Sequence, residues 1–188
     1  MSTAIAAEAV GAILTWWRTL IPDRDDRKGD RAAAAQLRRC AQLLDALRIQ
    51  QTHRLLQAVH NTGLKNKDDD VILLAVLLSH VEGADGIPRR FARLAGEAKG
   101  GSADGPQYVS PQRFSAILMA LESKDYEAAI RTLRRALMML RKETIDTRKF
   151  VSDILFFNDT TQRRWNYDYW QTSTDDDAEI KSLEPQNT

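Results

Sequence analysis

Few residues of this chain could carry covalent or metal chemistry. Cys40 is its one cysteine, and His53, His60 and His80 are its histidines. A nucleophilic thiolate needs a nearby cation or a helix N-terminus to lower its pKa. Cys40 instead shares an apolar helical spacing with Leu37, Leu44 and Leu47, which marks it as a core residue. A lone cysteine excludes an internal disulfide and fits a reducing, cytoplasmic setting. His53 and His60 lie seven apart and can share a helix face, but a zinc site needs more ligands than two histidines. Asp68, Asp69 and Asp70 are adjacent rather than spaced to face one another, so they suit a helix start better than a two-metal site. The stretch Gly96 to Gly105 is rich in glycine but follows no strand, and no GxxxxGK[ST] or GxGxxG pattern occurs. The expectation is a protein that is not an enzyme, with no catalytic residue, no metal and no cofactor.

What the chain has in quantity is arginine. Of its 27 basic residues, 19 are Arg and 8 are Lys. The net charge of +1 hides an asymmetry. Residues 1–170 hold 26 bases and 21 acids, while the tail after Trp170 holds five acids (Asp175, Asp176, Asp177, Glu179 and Glu184) and one base, Lys181. The bases recur in small groups: Arg38-Arg39, Arg89-Arg90 with Arg93, Arg131 with Arg134-Arg135, Arg148-Lys149 and Arg163-Arg164. Phosphate backbones are held by several cations in register, and the guanidinium fork matches phosphate oxygens. Each group alone is most often a solvated helix face, and a GC-rich genome would also favour Arg; it is the recurrence of several groups in one body that points to phosphate. No zinc finger, helix-turn-helix or single-strand aromatic motif is present, so any binding would read shape and charge rather than sequence.

These groups must be positioned by helices. Apolar residues recur at three and four, with no useful strand-type alternation. Helices are expected over Ala6–Leu20, ending before Pro22, and from Asp30 to about Leu47 after a charged loop, Asp23–Asp30. Others are expected over Gln50–His60, closed by Gly63, and from the three aspartates through Val71–Leu78, apolar nearly all round. A short helix follows over Pro88–Leu94. The segment Gly96–Ser110 reads as a linker. Ser110-Pro111 then starts a helix to Leu121, and Ser123 caps another reaching Lys142. Its inner face is Tyr126, Ile130, Leu133, Leu137 and Leu140, and its outer face Arg131, Arg134, Arg135 and Lys142. A last helical region runs from Asp146 to Trp170 with a break near Asn158-Asp159-Thr160. The expected architecture is all-α: one small bundle over 1–95, a linker over 96–110, a second bundle over 111–171, and an acidic tail over 172–188 with a disordered composition. The longest apolar run, Val71–Leu78, is less than half of a membrane span, and no signal peptide is expected, so no membrane contact is foreseen. The aromatic groups Trp16-Trp17, Phe156-Phe157 and Trp165 to Trp170 have two readings, sealing bundle ends or stacking on bases. The first is favoured because paired rings at helix ends usually close cores.

Taken in order, the chain has an early Trp16-Trp17 helix, Ala34-Ala35-Gln36-Leu37-Arg38-Arg39, Gln112-Arg113-Phe114-Ser115-Ala116-Ile117-Leu118, Leu133-Arg134-Arg135-Ala136-Leu137, Phe156-Phe157, and Arg163-Arg164-Trp165 through Tyr169-Trp170. This order and spacing resembles the CasB family, the small subunit of the Cascade complex of type I-E CRISPR systems, over about residues 12–171. The resemblance implies a non-catalytic helical subunit of an RNA-guided antiviral assembly. It implies two head-to-tail copies, contacts with backbone and large subunits, and basic surfaces that steady the CRISPR RNA–target duplex and the displaced DNA strand, the R-loop. Cleavage would belong to a separate nuclease. By the same resemblance Arg38, Arg39, Arg134 and Arg135 match the family's basic pairs, and Arg113 and Arg93 match basic positions. Arg89, Arg90, Arg131, Arg163 and Arg164 are candidates from charge clustering alone. The rival reading is a structural adaptor that binds only protein.

Overall fold

The computed structural model describes residues 3–21, 29–82, 86–99 and 105–171. Most of the expected charged loop, the middle of the Gly-rich segment and the acidic tail lie outside the described residues. Among the described residues there are ten helices and no strand: α1 (Thr3–Leu20), α2 (Arg31–Arg39), α3 (Leu43–Ala46), α4 (Gln50–His60), α5 (Asp68–Leu78), α6 (Phe91–Gly96), α7 (Pro111–Glu122), α8 (Tyr126–Met139), α9 (Thr147–Leu155) and α10 (Asp159–Tyr169). None is long and apolar enough to cross a membrane.

The centre is α5. Its three aspartates occupy the first turn, where the helix dipole favours them, and all eight residues from Val71 to Leu78 are buried. A helix that is apolar all round needs neighbours on every side. It finds them in α2, α3 and α4 and, from the other half of the chain, α8 and α9. Helix α1 likewise packs on both α4 and α9. The buried residues therefore form one cluster that does not divide at Gly96–Ser110. At that boundary Gly96 itself is buried, and a Cβ there would overlap the backbone carbonyl of Tyr169, which is how closely α6 approaches α10.

Several starts and stops follow their chemical signals. Asp30, Asp146 and Asn158 each accept a hydrogen bond from the backbone N–H three residues on. Gly63 takes the left-handed conformation, φ +83°, just past α4. Pro111 opens α7. Others differ. The cap of α8 is Asp125, accepting from Ala128 N, rather than Ser123, because Lys124 turns to φ 55° and shifts the start by two residues. The short sixth helix begins at Phe91 instead of Pro88, because Arg89 is held extended by bonds to Thr144 and Asp146. The expected helix from Asp30 to Leu47 is broken after Arg39. There the Asp45 carboxylate accepts from the N–H groups of Ala41 and Gln42 and starts α3 afresh. The break rotates Leu44 out of the core, where it is 67% exposed.

Candidate nucleic-acid interface

The break after α2 exposes a helix end whose carbonyls need partners. Two arginines from the expected basic pairs supply them. An Nη2 proton of Arg134, on α8, is donated to the carbonyl oxygen of Cys40, the C-cap of α2. The Nε proton of Arg38 is donated to the carbonyl oxygen of Ser79, the C-cap of α5, at 2.6 Å. A cation at a helix C-terminus interacts favourably with the helix dipole, by about 0.3–1 kcal/mol at exposed sites. The two arginines thus tie α2, α5 and α8 together, and residues 94 positions apart in sequence meet. Arg134 is therefore not the fully outward residue expected of it. Its Nε is buried without a partner, and burial pulls its pKa down.

His80 sits beside them, following the Ser79 cap. Burial first, then the charges of Arg134 and Arg38, push its pKa from 6.5 down to about 4. It is neutral at pH 7, with Nε2 buried and unpartnered. The Arg38 guanidinium faces Glu82, 4.0 Å away and well exposed, a weak counter-charge. Cys40 is buried, donates its thiol hydrogen to the Gln36 carbonyl, and has its pKa raised by burial, as a packing residue should.

The outer side of this junction is open. Arg39 and Arg48 line a shallow groove of about 370 Å³ with Gln36, Cys40, Asp45 and Ile49. On α8, Arg131 and Arg135 lie three positions before and one after Arg134, and both are exposed. The junction can present several guanidinium forks to a chain of phosphates, with Asp45 and Glu82 among the described acids that approach it. Arg48 does not stand out in the sequence; only the break at residues 40–42 turns it into the groove beside Arg39.

Elsewhere arginines are held by acids. Arg89 bonds both oxygens of Glu97 at 2.7 Å and reaches Glu143 at 2.7 Å. Arg90 pairs with Asp168, whose side chain is 1% exposed, at 3.4 Å. Arg164 pairs with Asp153, which also accepts from the Trp165 indole at 2.7 Å. Arg93 is partly buried on α6, whereas Arg113 and Arg163 are exposed. The structure thus brings Arg38, Arg39 and Arg134 to one junction and places Arg89, Arg90 and Arg164 in ion pairs away from it.

The histidines and aromatics have mostly internal partners. His60 pairs with Asp68 at 2.8 Å, an acidic partner not expected from its sequence neighbours, and His53 bonds the Leu47 carbonyl. Among the described residues no group of three His, Cys, Asp or Glu is placed to hold a metal. Trp16 and Trp17 donate to the carbonyls of Gln51 and Leu78 at 3.0 and 3.1 Å. Phe91, Phe114, Phe150, Trp165 and Tyr169 form a continuous set of ring contacts between α6, α7, α9 and α10. Tyr167 and Trp170 are each more than half exposed.

The geometry is that of a helical protein with exposed arginines beside the end of α2 and on α8. Residues 33–170 match the family model of the CRISPR-associated protein Cse2. The chain belongs to this family, the non-catalytic small subunit of the type I-E Cascade complex in CRISPR defence. No curated protein and no solved structure matches the chain.

Proposed function

We propose that this subunit holds nucleic acid by its phosphates at the α2–α8 junction and so stabilises the R-loop of its complex. The observation that supports the reading is the Arg134–Cys40 contact, which brings α8 to the C-terminal end of α2, the residue after Arg39. Arg39, Arg131 and Arg135 meet phosphate, with Arg48 as a fourth fork in the groove. Arg38 and Arg134 position the junction by capping α5 and α2. Arg113 and Arg163 are exposed cations that extend contact, and Arg93 contributes at most marginally. Arg89, Arg90 and Arg164 hold the fold, because their charges are already matched by acids.

The energetic logic suits modest contacts. Replacing a DNA duplex with an RNA–DNA duplex is nearly balanced, so a few protein–backbone contacts tip the exchange. The ligands are the CRISPR RNA–target duplex and the displaced strand, and the protein partners are the backbone and large subunits and a second copy of the chain. Cleavage falls to another protein. The test uses the reconstituted complex carrying Arg39→Ala, Arg131→Ala and Arg135→Ala together. Assembly should be intact and the R-loop should dissociate at least tenfold faster, since each phosphate left without its cation weakens the electrostatic hold. An unchanged lifetime would leave a protein-binding adaptor as the account of the subunit.

A further inference from the structure

Arg163 and Tyr167 of α10 and Trp170, its C-cap, lie on one stripe. At helical spacing they fall within about 60° of one another around the axis, and Tyr167 and Trp170 are about 4.5 Å apart along it. Tyr167 is 56% and Trp170 57% exposed, while Trp165 and Tyr169 on the same helix are buried. The Trp170 ring has a set orientation. It stands edge-on to Tyr169, with centroids 5.1 Å apart and planes at 87°. Tyr169 is in turn fixed by stacking on Phe114 at 4.1 Å and by donating its hydroxyl proton to the Val109 carbonyl at 2.6 Å. Stacking a ligand on a ring already held in place costs little ordering entropy.

The surroundings decide between ligand classes. The residues flanking the stripe are Asp159, Thr160, Gln162, Asn166 and Gln171, all polar, with Asp159 one turn before Arg163. The other exposed large apolar residues, Leu44, Ile87, Met119 and Met138, belong to other segments of the chain. Two half-exposed rings offer at most about 300 Å², far below the roughly 800 Å² per partner of a stable protein interface. That area suits two flat faces, and Arg163 suits an anion next to them. We propose that the Arg163–Tyr167–Trp170 stripe is a stacking site for two consecutive bases of single-stranded nucleic acid, with Arg163 on the adjoining phosphate. Paired bases in a duplex have their faces covered, so the site selects single strands. It is separate from the arginines of the α2–α8 junction and stands on its own observations.

Tryptophan emission of the full chain titrated with a short oligothymidylate tests this. Trp16 and Trp165 are buried and Trp17 is partly buried, so quenching by a stacked base reports on Trp170. The single strand should quench emission, while inorganic polyphosphate and a blunt duplex should not. Trp170→Ala should abolish the quench and weaken binding about tenfold, and Trp170→Phe should restore most of the affinity. Unchanged affinity in both Trp170→Ala and Tyr167→Ala, or equal quenching by polyphosphate, would overturn the site. Salt-sensitive binding without any quench would sink the stripe and spare the junction arginines. A quench and an affinity that survive Arg39→Ala, Arg131→Ala and Arg135→Ala would do the reverse. Loss of complex assembly in Trp170→Ala at unchanged oligonucleotide affinity would make the stripe a protein contact and also overturn the proposal.

Discussion

Arg89, Arg90 and Arg164 on one side, and Arg38, Arg39, Arg131, Arg134 and Arg135 on the other, are alike in residue type and in their clustering along the sequence. Their surroundings separate them. The first set closes on carboxylates of Glu97, Glu143, Asp168 and Asp153, and lies where α6, α9 and α10 share a set of stacked rings. The second set meets main-chain carbonyls at helix ends or faces solvent. A guanidinium bonded to a carbonyl keeps its full charge, whereas one bonded to a carboxylate has its charge cancelled by its neighbour. Clustering of arginine thus measures potential, and the partner's charge decides whether any is left for a ligand.

The largest effect expected from this contrast lies in the matched set. Arg90→Ala would leave the Asp168 carboxylate buried without its cation, and one of its oxygens already lacks a partner. Breaking such a pair from one side costs about 3–5 kcal/mol, so the thermal midpoint should fall steeply. A loss under about 1 kcal/mol would break the distinction, since Arg90 would then be as dispensable as a solvated residue.

A middle-sized effect belongs to the junction. His80 has a pKa near 4 when folded and 6.5 as a free side chain. Between those values the unfolded chain binds the extra proton, so its contribution to stability is whole above about pH 6.5 and is lost as pH falls toward 4. The loss should come to about 1–2 kcal/mol after allowing for solvent screening. Denaturant titrations across this range should show a stability difference between His80→Gln and the unaltered protein that changes with pH. Parallel profiles would mean that His80 is neither desolvated nor held in the field of Arg134 and Arg38.

Much of the helix pattern is legible in the sequence because its signals are local. Gln50–His60 can be read to the residue, and the three aspartates, Pro111, Asp30 and Asp146 each act within a turn of themselves. The break after Arg39 is not legible. Leu44 keeps the apolar spacing, and the Asp45 cap competes with a continuous helix only once Arg134 satisfies the Cys40 carbonyl. The site divides in the same way. Arg39, Arg131 and Arg135 can be named from spacing, but Glu143, which joins Glu97 on Arg89, and Asp168, the partner of Arg90, sit 54 and 78 residues away. Nor does spacing place His80 between arginines of two other helices. The undivided core follows from α5, whose apolar circumference is visible but whose neighbours in α8 and α9 lie beyond the Gly-rich segment.

The smallest effect on folding should accompany the largest effect on binding. In the isolated protein, Arg39→Ala, Arg131→Ala and Arg135→Ala together should leave stability within about 0.5 kcal/mol per site, because these side chains are exposed. Affinity for a DNA duplex, followed as log K against log salt, measures how many phosphates are neutralised. Its slope should become shallower by about 0.9 for each phosphate that is no longer neutralised, close to three in all. An unchanged slope in a folded variant would contradict the assignment of this junction to nucleic acid.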